Sequence, residues 1–113
     1  MARRSIAADP APRSTDEGTL DATIVANTLR EHIPYIQRCY ERELLRQPRL
    51  RGRLDVAFYI GTSGLIERIS TRGFEDVPSF TACVVELFVV LRFPSPTGGG
   101  VDFSFPFNFA PSR

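Results

Sequence analysis

The sequence predicts an α+β fold ordered α-β-β-α-β, with two helices packed on one face of a three-stranded antiparallel sheet. Three patterns predict it. Ile33, Ile36, Tyr40 and Leu44 recur at steps of three and four, the spacing of one helix face. Leu54, Val56, Phe58 and Ile60 then alternate with Arg53, Asp55, Ala57 and Tyr59, the period of a half-buried strand. Near the C-terminus Val101, Phe103, Phe105, Phe107 and Phe109 alternate with Asp102, Ser104, Pro106 and Asn108. Five large apolar side chains on one strand face need a layer of helices to cover them.

Taken in order, residues 1–19 combine Pro, Ala, Ser and charge without periodicity and predict a disordered tail or linker. Asp21 or Thr19 suits the first helix cap. The apolar stripe continues from Ile24 or Val25 through Leu29 to Leu44, but Pro34 falls inside it. A proline removes a helix hydrogen bond, so the expectation is two segments, 21–32 and 34–47. Pro48 and Gly52 end the helix. Strands over 53–60 and 65–72 flank Gly61-Thr62-Ser63-Gly64, a hairpin turn with glycines where positive φ is expected. Ile66 and Ile69 break alternation, which predicts a β-bulge. Asp76 or Ser79 is expected to start the second helix, with Pro78 in its first turn. Phe80, Cys83, Val84, Leu87, Phe88 and Leu91 form its core face, while Val85, Val89 and Val90 fall off that face and suit either burial or a dimer face. A connector rich in Pro and Gly leads to the last strand, 101–109. Pro106 cannot donate to a ladder, which places that strand at a sheet edge. The ordered domain is thus 20–110, with 111–113 as a tail.

At 113 residues the chain forms one domain. A net charge of +1 and 42% apolar residues exclude bulk electrostatic attraction to nucleic acid or membrane. No apolar run reaches the roughly 18 residues of a membrane helix, and no apolar stretch follows Met1-Ala2-Arg3-Arg4 as a signal peptide would require. All 14 basic residues are arginine. Two cysteines and one histidine, His32, do not make a zinc set, and neither metal nor cofactor is expected. Cys39 and Cys83 suit a disulfide or two buried thiols equally.

No residue constellation points to catalysis. His32 lacks a partner in sequence, Gly98-Gly99-Gly100 lacks the Lys-Ser/Thr of a phosphate loop, and Glu41, Glu43 and Glu86 read as charges on exposed helix faces. Two binding surfaces stand out. Arg38, Arg42, Arg46, Arg49, Arg51 and Arg53 cluster at a helix C-terminus, where they complement the dipole and would also suit a polyanion. The edge strand suits an extended peptide, added as a further strand along Val101, Asp102, Ser104, Pro106 and Asn108.

One resemblance joins these pieces. Cys39-Tyr40-Glu41-Arg42, Pro48-x-Leu50-x-Gly52, Phe58-x-Ile60-Gly61-x-x-Gly64, a lone Cys83 leading to Arg92-Phe93-Pro94, Gly98-Gly99-Gly100-Val101 and Pro106-Phe107-x-Phe109 follow one another in an order that resembles the TonB-like C-terminal domain of the AgmX/PglI type, found in myxobacterial envelope and gliding-motility proteins. The likeness spans about Leu20 to Ala110. It implies a non-enzymatic periplasmic module of a deltaproteobacterial envelope, in energy transduction, transport or gliding motility. Its partner would be an envelope or outer-membrane protein, bound as an extended peptide along 101–109. It also implies a Cys39–Cys83 disulfide, because the periplasm oxidises thiols. A nucleic-acid or polyanion binder using Arg38–Arg53 and a homodimer using Val85, Val89 and Val90 are the alternatives. The sequence departs from the family pattern in lacking an anchor and in carrying those valines in place of charge.

Overall fold

The computed structural model describes residues 2–3 and 18–112. Of the tail expected over 1–19, residues 1 and 4–17 lie outside the described residues. The order is β1 (Ala2–Arg3), α1 (Ala22–Leu44), β2 (Gly52–Ile60), β3 (Ile66–Arg72), α2 (Pro78–Phe88) and β4 (Val101–Pro111). Three long antiparallel strands in the order β4-β2-β3 form the body of the sheet, and the two-residue β1 adds at the end of β4. The α+β architecture with two helices over one sheet face is therefore as the sequence predicts.

Helix α1 starts at Asp21, whose carboxylate accepts from Thr23 N at 2.8 Å and satisfies an orphan amide. The helix then runs unbroken through Pro34, against the expected split. The reason is exposure. Pro34 and Arg30, whose carbonyl loses its amide partner, both face water, so the freed acceptor is solvated rather than stranded. The regular helix ends at Leu44, short of the expected 47, and passes into turns through Arg49.

β2 pairs with β4 in one continuous register from Gly52↔Phe109 to Ile60↔Val101. β2 and β3 pair from Asp55↔Arg72 to Ile60↔Ile66, with one register shift beside Tyr59 that leaves Glu67 as the extra residue. This is the bulge that broken alternation at Ile66 and Ile69 predicts. Of the two hairpin glycines, Gly64 has positive φ (85°), and a Cβ there would lie 2.1 Å from the Phe93 carbonyl, which crosses close by.

Val101, Phe103, Phe105, Phe107 and Phe109 are all buried. Phe58 stacks on Phe105 at 5.9 Å and meets Phe88 edge-on at 5.5 Å. At the other end Tyr40, Phe74, Phe80 and Phe109 form a second aromatic group. Phe74 keeps a φ of 56°, and its ring packs at 4.9 Å against Phe80. Such a backbone persists where surrounding packing over-determines it.

In α2, Phe80, Val84 and Phe88 are buried, and Cys83 and Leu87 are half-buried. The cap is Val77, which makes no side-chain cap bond, rather than Asp76 or Ser79. The helix stops at Phe88, so Val89 and Val90 lie in the following turn and are exposed, Val90 to 69%. Val85 is half-buried. Burial of all three valines is thus not what the fold provides.

Candidate functional site

Pro106 fixes which way the backbone of β4 faces. It pairs opposite Asp55 without a register shift, yet it has no N–H to donate. The Asp55↔Pro106 pair is consequently of the non-hydrogen-bonded kind. Alternation then sends the odd-numbered amides of β4 toward β2 and the even-numbered ones outward. Asp102, Ser104 and Asn108 direct N–H and C=O to the outer edge, and Pro106 directs a carbonyl alone. Among the described residues, that edge is paired only at its end, Ala2↔Pro111 and Arg3↔Ala110.

The same even-numbered side chains stand on the sheet face away from the helices. Ser104, Ala57 and Ser70 lie in one row across three strands. These short side chains floor a depression of about 580 Å³ whose lining includes Arg53, Asp55 and Arg72. Edge and depression therefore adjoin through Ser104. Val101, included in the expected docking strand, belongs instead to the core: its side chain is buried and its amide faces β2.

The arginines of the cluster make separate local contacts. Arg38 stacks over Tyr35 at 5.3 Å, Arg42 donates to Cys83 Sγ at 3.0 Å, and Arg53 pairs with Asp55 at 2.8 Å. Arg46 donates to Glu43 Oε1 at 2.6 Å and to Ser79 Oγ at 3.2 Å. Arg49 and Arg51 remain exposed and form no ion pair with a described residue. Arg51 and Arg53 line a 250 Å³ hollow together with Glu75 and Asp76, so acids offset the bases there.

Cys39 and Cys83 form a disulfide that joins the two helices. Beside it lies a polar contact that the sequence reading assigns to the wrong environment. Glu43 is 2% exposed rather than solvated. Its Oε2 accepts from Ser79 Oγ at 2.6 Å, and its carboxyl is held below the usual glutamate range, first by that hydrogen bond and then by Arg46. The signal was present in the sequence, because Glu43 is seven residues from Ile36 and three from Tyr40, on the core stripe. Tyr40 itself donates its hydroxyl to the Leu50 carbonyl, and burial raises its phenol above the usual range.

His32 Nδ1 lies 2.9 Å from the Thr28 carbonyl, a local helix contact. Among the described residues no cluster of three His, Cys, Asp or Glu side chains converges as a metal set, and no helix is long and apolar enough to cross a membrane. The disulfide is compatible with an oxidising compartment.

Comparison with protein-family models, curated proteins and solved structures finds no match for this chain.

Proposed function

We propose that this protein is a non-enzymatic protein–protein interaction module of the bacterial envelope, working in the periplasm and resembling TonB C-terminal domains. An extended segment of an envelope or outer-membrane protein adds to the outer edge of β4. The observation that carries this reading is the β2–β4 register, which with Pro106 turns the amides of Asp102, Ser104 and Asn108 outward, beside a polar depression open to alternate side chains of an incoming strand. The ordered motifs from Cys39 to Phe109 supply the family side of the argument, and the inter-helix disulfide suits the compartment.

The test is site-specific photo-crosslinking from Ser104 and, separately, from Arg46, combined with amide hydrogen exchange. The expected result is an adduct to an envelope protein from Ser104, with slowed exchange at Asp102, Ser104 and Asn108 when the mapped peptide is added. Crosslinks to nucleic acid from Arg46, with unchanged exchange along β4, would overturn it. A second copy captured through Val89 and Val90 would make the domain a homodimer, which light scattering reads as a concentration-dependent mass. Those two valines are the specific observation behind that second reading.

A further inference from the structure

The two sulfurs of the disulfide sit in unlike surroundings. Cys39 is 3% exposed and packs within the apolar core. Cys83 is half-buried, and the Arg42 guanidinium donates to its Sγ at 3.0 Å. Charged residues within one turn of Cys39 or Cys83 in sequence, apart from Arg42, include Glu43 on α1 and Glu86 on α2. Glu43 is already engaged by Ser79 and Arg46. Arg42 is therefore the charge that bears directly on Cys83.

We propose that Cys83 is the sulfur through which this disulfide is made, and that it forms the mixed disulfide with the oxidant. The co-reactant is a disulfide-bearing oxidant, either a dithiol oxidoreductase or a small-molecule disulfide. In the reduced protein a guanidinium beside a thiol favours the thiolate, the nucleophilic form. The Cys83 thiolate attacks one sulfur of the oxidant's disulfide. That bond breaks, a Cys83–oxidant disulfide forms, and the first oxidant thiolate leaves. Cys39 then gives its proton to water and attacks Cys83 Sγ. The Cys39–Cys83 bond forms and the second oxidant thiolate leaves. Two electrons pass from the protein dithiol to the oxidant. The buried Cys39 slows the closing step and its reversal alike, since both pass through a Cys39 thiolate in apolar surroundings. A reductant reaching Cys83 must expel Cys39 as a thiolate into apolar surroundings, which disfavour that charge.

The experiment begins with the reduced, two-cysteine chain and oxidised glutathione. Samples are acid-quenched at short times and the glutathione adduct is mapped by peptide mass spectrometry. At least a tenfold excess on Cys83 over Cys39 is expected. Arg42→Gln should slow adduct formation about threefold at pH 7, because the loss of thiolate is only partly offset by the greater nucleophilicity of a less acidic thiol. At a pH where both chains are fully thiolate, the order should reverse, because the less acidic thiolate of the Arg42→Gln chain is then the better nucleophile. If the adduct is too short-lived to map, Cys39→Ala and Cys83→Ala chains give the two rates separately, with the Cys39→Ala chain at least tenfold faster. Equal labelling of the two cysteines, as an unfolded reduced chain would give, overturns the proposal. So do preferential labelling of Cys39 and an Arg42→Gln rate equal to that of the parent at neutral pH.

Discussion

Reducing the Cys39–Cys83 bond perturbs the link between α1 and α2 without touching the sheet. The bridged residues are 44 apart in sequence. In the chain-entropy model a closed loop of about 45 residues restricts the unfolded state by roughly 4 kcal/mol at 25 °C. For a domain of this size, about 4–8 °C of melting temperature accompanies each kcal/mol, so the expected fall is about 15–30 °C. The fold should survive, because the continuous β2–β4 register and the buried Phe58, Phe103, Phe105 and Phe107 do not depend on the bond. Thermal unfolding followed by circular dichroism, with and without a phosphine reductant, checks both halves. An unchanged midpoint would show that the bond constrains nothing that the helices do not already fix. A reduced chain with no cooperative transition would show that the aromatic core cannot stand without the bridge.

Glu43→Gln should lower stability by about 1–3 kcal/mol, since hydrogen bonds to a buried charge are worth about that much. Because the folded carboxyl titrates below the ordinary glutamate range, its contribution is present above that range and is lost as pH falls through the folded value. Urea midpoints between pH 3 and 7 should accordingly slope less in the variant than in the parent. Tyr40→Phe removes the donor to the Leu50 carbonyl and should destabilise by about 1–2 kcal/mol in denaturant titrations. Pro34→Ala restores an amide to an exposed, unbroken helix and should stabilise by about 1–3 kcal/mol, read by the same titration. A neutral or destabilising Pro34→Ala would mean that the proline serves something outside the helix.

Much of the fold is legible because period two and period 3.6 are local. The phenylalanine run of β4 could bury its face in only one way, and Asp21 sits where an orphan amide needs an acceptor. The errors arise where tertiary placement decides. Pro34 costs a helix less where the carbonyl that it strands is solvated, and the apolar stripe through Leu29, Ile33 and Ile36 leaves Arg30 and Pro34 on the wet side, a signal weaker than the general rule against proline. The apolar spacing that puts Val89 and Val90 on a helix continues past Phe88, where the helix ends. The charge of Glu43 points to solvent while its position on the Ile36–Tyr40 stripe points to the core, and the Ser79 hydroxyl makes the second outcome possible. The arginine cluster looks continuous in sequence, yet α1 and β2 point in different directions and give Arg38, Arg42, Arg46 and Arg53 separate local partners. The orientation of the β4 backbone was within reach, because a proline in a paired strand fixes the parity of the whole ladder once its partner register is known.

That parity makes Pro106 the residue on which the two views of the edge divide. In one view the proline blunts an edge that would otherwise invite pairing. In the other it shapes a docking edge, leaving outward donors at Asp102, Ser104 and Asn108 with a gap between them. Successive outward amides lie about 6.6–6.8 Å apart, so the gap interrupts the ladder for about 13 Å. A strand docked across it keeps the Pro106 carbonyl as an acceptor but presents one carbonyl of its own with no donor opposite. Pro106→Ala supplies that donor. If β4 is a docking edge, the substitution should tighten capture of the peptide mapped from Ser104 by about 0.5–1.5 kcal/mol, roughly two- to tenfold, the net worth of one hydrogen bond. If the proline serves only to blunt the edge, the substitution should instead yield dimers of the chain itself and leave peptide capture unchanged. Light scattering and a binding isotherm on the same sample separate the two. Self-association without peptide binding would refute docking at β4 while leaving the backbone orientation intact.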